Sequence, residues 1–393
     1  MKHILVFLFL FVVLCTQEVS EIIVTGNKIT KVHVIRREIQ HPVNVNIDSS
    51  LAQEDRDRIE NLGIYSIVEW QAVPLENGTV RLKYNVIESS RIFPALFPQY
   101  EEETGWSFLF GLIVQNFRGQ NETLALGALV GGIDAYGVNF NNPWIFGDHV
   151  SISLNTGKNI IDHVFLPYEE QTSSFGINMG RYFGYERRVN VGIEFQRKNY
   201  VDDNTTVEFE YFAPQTNLTY DTRDIYTDPS KGVYINHYLQ FYSFLNRDGQ
   251  STVWEQSYSG YVSPLKGKRK TTIGFNFTLN STHGDLHREL LYRGLGGAYS
   301  IRGWKVGTRE IFESGEQSYR FGFFQFISSF ELRQTLIPRF SVKKKTPFGV
   351  MKTEFGLQAV LFVDTGTAGG DWNDLIEEIP MLGAGIGIRI PAA

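Results

Sequence analysis

Arg302 is the only charged residue in a glycine-rich segment, residues 296–304, that also carries two aromatic side chains. The segment lies between two alternating β-segments, so we predict a loop. If this loop folds into a polar lumen, the guanidinium needs carboxylate partners, because an unpaired buried charge is costly. Asp364 is the expected partner, with Glu331 nearby. The segment alone leaves open a second interpretation, a surface turn with a solvated arginine.

Asp364 also begins the sequence Asp364-Thr365-Gly366-Thr367, which matches the active-site pattern of aspartic proteases. That chemistry needs two such carboxylates sharing one proton. The chain has one copy of the pattern, at the end of an apolar strand, so a protease would have to be a homodimer. No Ser-His-Asp grouping is evident either. We therefore predict no catalytic residue and no enzymatic activity.

His283 and His287 are four residues apart, a spacing that suits metal ligands on a helix. They flank Gly284-Asp285 in a predicted external loop, where solvated side chains are the simpler interpretation. Cys15 is the single cysteine, which excludes a disulfide or a cysteine metal site within the chain. Neither a metal nor another cofactor is predicted.

The overall composition argues against nucleic acid as a partner. The 393 residues include 37 lysines and arginines against 43 acidic residues, a net charge of −6, so there is no general basic field. The mean hydropathy is slightly negative, at −0.18, which does not suit a helical membrane protein.

The first residues have the character of a secretory signal peptide, predicted over residues 1–17. A short basic start, Met1-Lys2-His3, precedes an apolar run, residues 4–14, that is too short to span a bilayer as a helix. No later run approaches that length. An exported chain of this kind enters a membrane only as a closed β-barrel.

Residues 18–90 are predicted to form a small α+β domain with the order strand, helix, helix, strand, strand. Thr30 is the expected cap of the first helix, and Ser50, with capping-box spacing, is expected to open the second. Asn77-Gly78 predicts the hairpin turn between the last two strands. We call residues 18–90 the N-terminal module.

Residues 91–393 lose the helical period and alternate instead between apolar and small polar residues. About fourteen such segments are visible, with starts near 93, 105, 123, 136, 148, 172, 188, 211, 232, 252, 270, 321, 351 and 381. Short basic turns, at residues 266–270 and 343–345, alternate with longer loops, at residues 282–320 and 367–380. This asymmetry favours a transmembrane antiparallel β-barrel over a soluble sandwich.

Two groups of motifs resemble one family. Residues 23–30, 37–39 and 61–65 resemble a polypeptide-transport-associated (POTRA) domain. The barrel half resembles the outer-membrane protein assembly superfamily, the BamA-like or bacterial surface antigen family. The matching residues are Phe140–Gly147, the strand-turn motif Asp221, Arg223, Asp224 and Gly232, the loop motif Ile301, Arg302, Gly303 and Trp304, and the strand motifs at residues 331–333 and 362–366.

The strand alternation places Asp364 on the lumenal side of its strand, opposite Leu361 and Val363. Glu331 is on the lumenal side of the preceding strand, opposite Phe330. We therefore expect Arg302 to pair with Asp364, with Glu331 nearby, and to hold the loop in the lumen. The resemblance implies the same pairing.

The family resembled has barrels of sixteen strands that end in an aromatic residue, whereas this chain stops at Pro391-Ala392-Ala393. Two strands are therefore expected to be missing, with the alternative that the barrel closes with fourteen.

The resemblance implies an outer-membrane protein with its POTRA domain in the periplasm, acting in insertion, assembly or translocation of proteins. Its expected partners are the lipid bilayer, unfolded outer-membrane or secreted client proteins, and accessory assembly proteins. A client would bind by strand addition to the edge strand of the module, residues 66–73 or its neighbour. The alternative function is a passive porin or surface receptor.

Overall fold

The computed structural model describes residues 17–102, 104–146, 149–202, 204–346 and 349–391. The predicted signal peptide therefore lies outside the described residues, apart from its last position. Among the residues described, no helix is both long enough and apolar enough to cross a membrane.

The N-terminal module contains β1 (Val19–Thr25), α1 (Val32–Arg36), α2 (Ser49–Asn61), β2 (Tyr65–Pro74) and β3 (Val80–Glu88). Its sheet has the order β1-β3-β2, in which β1 runs parallel to the central β3 and β2 runs antiparallel to it. The helices cover one face of this sheet. The core between them consists of buried apolar residues that include Val19, Ile35, Ile59, Leu82 and Tyr84.

Both predicted helix caps are wrong by one or two residues. Lys31 is the N-cap of α1 and makes no side-chain cap, while the Thr30 hydroxyl instead donates to Glu88 at 2.6 Å. Asp48 caps α2, because its carboxylate accepts the amides of Ser50 and Leu51. A charged acceptor next to the helix start is a stronger cap than the serine hydroxyl two residues later.

A large antiparallel sheet of fourteen strands follows the module. The strands of this half of the chain are β4 (Ile92–Glu101), β5 (Gly105–Phe117), β6 (Glu122–Gly131), β7 (Ile133–Asn142), β8 (Val150–Asp162), β9 (Glu169–Phe183), β10 (Arg187–Val201), β11 (Thr206–Asp221), β12 (Gly232–Phe244), β13 (Gln250–Leu265), β14 (Thr271–Gly284), the short β15 (Arg293–Gly294) and β16 (Phe321–Gly322), β17 (Phe324–Thr346), β18 (Gly349–Gly369) and β19 (Met381–Arg389). The short β15 and β16 pair only with each other, outside the large sheet.

The large sheet confirms the predicted class and strand number. Each strand pairs with its neighbours along the chain, from β4 to β14 and then through β17 and β18 to β19. The two end strands, β4 and β19, are not paired with each other in the described part of the chain, so the sheet is not closed. Closure with fourteen strands, one of the two alternatives from the sequence, is not what the structure has.

The predicted turn at Lys343, Lys344 and Lys345 is wrong, because these residues belong to β17 and pair with β18. β17 has 23 residues, whereas about 9–11 residues cross a bilayer. The hairpin therefore extends beyond the length of a membrane span.

The sheet has two different faces, which the strand register defines. The inner face carries Asp364, Gln325 and Thr272, which are 1%, 4% and 3% exposed. The outer face carries large exposed apolar residues such as Phe330 and Leu361. Polar residues turned inward and apolar residues turned outward are the pattern of a barrel wall in lipid.

Candidate functional site: the arginine loop

The segment between β14 and β17, residues 285–323, forms a long loop with short helices of its own. These are α3 (Arg288–Leu291), α4 (Arg309–Ser314) and a 3₁₀ turn (Ser318–Arg320). Ile301 of this loop lies against the inner face of the sheet, where it is fully buried with Leu295, Ala368 and Met381. Tyr299, two residues before it, is fully exposed. The structure therefore has the inserted loop and not the solvated surface turn.

Arg302 forms a two-pronged contact with Asp364 of β18. Its Nε donates to Asp364 Oδ2 at 2.6 Å, and its Nη2 donates to Oδ1 at 2.7 Å. The Arg302 backbone amide also donates to Oδ2, at 3.1 Å. A guanidinium and a carboxylate in this parallel geometry give both strength and a fixed orientation.

Two further strand residues complete the surroundings of Arg302. Its Nη1 donates to Glu331 Oε1 at 2.7 Å, and its Nη2 donates to the Ser329 hydroxyl at 3.0 Å. The Phe362 ring lies 3.8 Å from the guanidinium carbon, close enough for a cation–π contact. Arg302 thus joins the loop to both β17 and β18.

The cluster is balanced in charge. Glu331 also accepts from Arg333, whose Nε lies 2.8 Å from Oε2, so two arginines face two carboxylates. Asp364 is 1% exposed, whereas the Arg302 side chain keeps 28% of its surface exposed. Removing one member of a buried pair typically costs about 3–5 kcal/mol, because the other charge remains buried.

The other residues of the predicted loop motif fix the loop backbone. Ile301 fills the small apolar core described above. Gly303 has a φ of 93°, a left-handed conformation that glycine adopts without steric cost. Trp304 donates its indole N–H to the Leu382 carbonyl of β19, at 2.9 Å.

Arg320 is a loop residue that the sequence analysis did not single out. It is 2% exposed, and its Nε and Nη2 donate to the Leu295 carbonyl at 3.2 and 3.0 Å. It also donates to the carbonyl of Lys305. Arg320 therefore ties the two ends of the inserted segment together. Its sequence neighbours are polar and aromatic in no repeating pattern, so no sequence signal distinguished it from a solvated arginine.

Gly383 of β19 is the second residue that the sequence analysis missed. A β-carbon at this position would overlap the carbonyl oxygen of Arg302. At Gly387 on the same face, a β-carbon would meet no atom within 4 Å. A glycine within a strand is a signal for close backbone approach, but the alternating glycines of β19 did not show which one the loop contacts.

The strand-turn motif forms a compact cluster at the β11–β12 turn. Arg223 donates to both carboxylate oxygens of Asp221, at 2.8 and 2.7 Å. Asp224 accepts the amide of Ser230 at 2.8 Å. Gly232 has a φ of 101°, and a β-carbon there would overlap the backbone of Thr222. The structure brings the four motif residues together, and they shape the turn.

This turn contacts the N-terminal module. Asn61, at the end of α2, donates to the Asp224 carbonyl at 2.9 Å and accepts the amide of Tyr226 at 3.1 Å. Arg339 of β17 donates to Glu60 at 2.9 Å. The module therefore contacts the β11–β12 turn and an internal residue of β17.

Three other turns of the sheet also hold the module. The guanidinium of Arg37 lies 4.0 Å from the Trp144 ring of the β7–β8 turn. The Tyr185 hydroxyl of the β9–β10 turn donates to the Arg37 carbonyl at 2.7 Å. At the β5–β6 turn, the Lys31 amide donates to the Gly119 carbonyl at 2.8 Å. These turns define the end of the sheet that faces the module.

Burial at this contact affects Glu38 of the module. Burial raises its pKa to about 6, although the adjacent Arg37 guanidinium, 3.3 Å away, opposes the shift. Burial also lowers the pKa of Arg37. The two shifts agree that removal from water outweighs the attraction within this pair.

Neither the protease-like sequence at Asp364 nor the pair His283 and His287 forms a catalytic or metal site. Both Asp364 oxygens accept from Arg302, and one also accepts from Ser329 at 2.7 Å, so this aspartate has a structural partner. The ring of His283 packs against Phe324, and that of His287 packs against Phe209. In the described ranges, no group of three or more histidine, cysteine or acidic residues is arranged to hold a metal.

Comparison with protein families agrees with this architecture. Residues 116–392 match the Omp85 superfamily domain. The chain belongs to the Omp85 superfamily. Residues 17–89 match the POTRA family, described as the surface antigen variable number repeat. The resemblance predicted from the motifs is therefore confirmed, and the prediction of a non-enzymatic protein agrees with this Omp85 assignment.

One curated relative of this Omp85 chain is the outer membrane protein assembly factor BamA of Neisseria meningitidis serogroup B. The two are 30% identical over 188 residues, which covers 44% of this chain and 23% of that protein. The match thus spans about a quarter of the relative's length.

Solved structures of similar fold include BamA from Haemophilus ducreyi lacking POTRA domains 1–3. It has a TM-score of 0.51 and 15% identity, covering 96% of this chain and 85% of that chain. CdiB from Escherichia coli has a TM-score of 0.55 and 12% identity, covering 95% and 84%. At these identities the likeness concerns the Omp85 fold alone.

Proposed function

We propose that this protein resides in the outer membrane, with its N-terminal module in the periplasm, and mediates the insertion, assembly or translocation of client proteins. Membership of the Omp85 superfamily supports this role, as does the similarity to a protein named as an outer membrane protein assembly factor. The observation that carries the proposal is a module, seated on the turns of the large sheet, whose end strand β2 pairs with another strand on one side only in the described ranges. We call its unpaired side the free edge.

β2 is the strand that offers this edge. Arg56 donates to the Val68 carbonyl at 2.9 Å, which means that the backbone of Val68 points away from β3. Because backbone direction alternates along a strand, the N–H and C=O groups of Trp70 and Ala72 point the same way. Pro74 then ends the row of donors. An extended client segment would add at Trp70 and Ala72.

The opposite edge of the module sheet is less suitable. The Val19 amide donates to the Val45 carbonyl at 2.8 Å, and the Val19 carbonyl accepts the Asn44 amide at 2.7 Å. The first part of β1 is therefore already covered by the chain that follows α1. Strand addition uses main-chain hydrogen bonds, so it tolerates many client sequences.

The arginine loop would act on the sheet and not on the client. Arg302 contacts β17 and β18, and Trp304 contacts β19. These three strands form one end of the sheet. We infer that the loop sets the conformation of this end, and that client folding supplies the driving force.

The experiment is photocrosslinking in the full chain, reconstituted in liposomes with an unfolded outer-membrane protein as client. A photoreactive residue at position 71, beside the free edge, should crosslink to the client. The same residue at position 83, on the central strand β3, should not. Ala72→Pro removes one edge N–H and should weaken capture roughly 3- to 10-fold, whereas Ala72→Ser should leave it unchanged.

Equal crosslinking at positions 71 and 83 would contradict binding at this edge. A large, constant ion conductance that does not depend on the module would favour the porin alternative instead.

A further inference from the structure

The outer face of the sheet has a groove across β5 to β10 that the function above does not use. Its volume is about 890 Å³, within the range of pockets that hold small molecules. The apolar residues that line it include Phe110, Leu126, Tyr136, Val138 and Phe175. Each of these five is between 46% and 63% exposed, so no other part of the described chain covers them.

Four glycines on the inner face accompany this groove. Gly111, Gly127, Gly137 and Gly157 are direct cross-strand partners on four successive strands. A β-carbon at Gly111, Gly137 or Gly157 would come within 2.8–2.9 Å of a neighbouring carbonyl oxygen. The wall is therefore sharply curved here, with the glycines on its concave side. Such curvature spreads the side chains on the outer face, which opens the groove.

A row of polar residues crosses the groove on its outer face. Tyr136, Lys158, Ser173, Arg197 and Glu210 follow one another as direct partners on β7 to β11. We call these five residues the polar row. Arg197 Nε donates to Glu210 at 2.9 Å and lies 3.8 Å from a carboxylate oxygen of Glu208, so a phosphate at Arg197 would compete with these two carboxylates. The Lys158 ammonium, in contrast, has no hydrogen bond or ion pair with any residue of the described ranges.

The next row on the same face is apolar apart from Thr156. On each of β7 to β11, the residue two positions from the polar row belongs to this second row. Its members are direct cross-strand partners: Val138, Thr156, Phe175, Phe195 and Phe212. We call these five residues the apolar row. It lies on the side of the polar row that is nearer to the module. The outer face therefore changes from polar and charged to mainly apolar within two residues. A lipid shows the same change between its headgroup and its acyl chains.

We propose that this groove binds a phosphorylated lipid, with its phosphate at Lys158 and Arg197 and an acyl chain along the apolar row. Lys158 and Arg197 are two strands apart, about 10 Å along the polar row. Long side chains at that separation can reach one phosphate, and the Ser173 hydroxyl lies between them. An anion gives Lys158 the partner that the protein lacks.

The position of the row selects a membrane lipid over free phosphate. Lys158 is four residues from the end of β8 at Asp162, which is the end away from the module. With the module in the periplasm, that end belongs to the outer leaflet. The inference rests on this placement in the membrane and not on client insertion. A free phosphate would leave the apolar row exposed.

The experiment is native mass spectrometry of the full chain, refolded in a non-ionic detergent and titrated with three probes. Phosphatidic acid carries phosphate and acyl chains, diacylglycerol carries the chains alone, and inorganic phosphate is the headgroup alone. We expect retention of phosphatidic acid only. One lysine near a membrane surface is worth about a fivefold change in affinity for an anionic lipid, so Lys158→Gln should weaken binding by about that factor.

Lys158→Arg should retain binding, and Lys268→Gln, which removes a charge from an exposed turn, should have no effect. Each variant is checked for its heat-modifiable migration, and Arg197→Gln serves as a second test of the same row. Equal binding of phosphatidic acid by wild type and Lys158→Gln would overturn the proposal, as would equal retention of diacylglycerol. Client crosslinking at position 71 is measured separately. A failure of lipid binding can therefore be distinguished from a failure of the proposed function.

Discussion

The backbone of Arg302 lies directly on Gly383, so closely that a β-carbon at residue 383 would overlap the Arg302 carbonyl oxygen. The same arginine is bound on its other side by Asp364. The loop is therefore held between the last strand of the sheet and a carboxylate of the preceding strand.

Gly383→Ala should displace the loop from β19, because the added methyl group cannot share space with a backbone oxygen. We expect faster protease cleavage near Gly303 and a lower thermal midpoint. Gly387→Ala is the matched control, since a β-carbon there has open space around it. Equal protease sensitivity of the two variants would show that the loop does not rest on residue 383.

Arg302→Ala should loosen the loop by leaving Asp364 buried with Ser329 as its remaining side-chain donor. The expected cost is about 3 kcal/mol, the low end for a buried pair, because Arg302 is partly exposed. Limited proteolysis and thermal unfolding measure it. Arg309→Ala is the control in the same loop, since Arg309 pairs with Glu313 on the surface. If both variants cleave at the wild-type rate, the pairing does not fix the loop.

Arg320→Met should release the base of the loop while keeping most of the side-chain volume. The carbonyls of Leu295 and Lys305 would lose their donors, and a buried acceptor left unpaired costs about 1–3 kcal/mol. Hydrogen exchange should rise across residues 295–305 and stay unchanged in the N-terminal module. Unchanged exchange in that segment would assign Arg320 no role in holding it.

Glu38 should make the stability of the docked module depend on pH. Its pKa is raised to about 6 in the folded protein, so the folded state binds the proton more tightly than the unfolded state. The contribution of Glu38 to the free energy of unfolding is therefore highest below about pH 4.5 and falls as the pH rises through 6. The total effect is on the order of 2 kcal/mol. The titratable groups around it are Arg37, Arg58, Tyr65 and Tyr185.

Urea unfolding at pH 5 and pH 7.5 measures this effect. Glu38→Gln cannot ionise, so its midpoint should change less between the two pH values than that of the wild type. If the wild type and the variant respond equally to pH, the pKa of Glu38 is the same in the folded and the unfolded protein.

Local sequence patterns were enough to predict the fold class of the protein and to assign residues to the two faces of its strands. The two-residue period places Asp364 and Glu331 on one side of their strands without any knowledge of the fold. Fourteen alternating segments gave the strand number, and the motif order gave the family. These features depend on residues that are close together in the chain, so the sequence alone is enough to predict them.

Tertiary structure alone decided the contacts that join distant segments. Contacts with backbone groups 15 or more residues away in the chain define the roles of Arg320, Gly383 and Asn61. Every residue has a backbone carbonyl, so the sequence does not show which one is contacted. Likewise, Lys158 and Arg197 share a row only because three strands pair in one register. The alternation of side-chain types along a strand determines which face of the sheet each residue lies on. The strand register and the path of the loop determine which residues it contacts on that face.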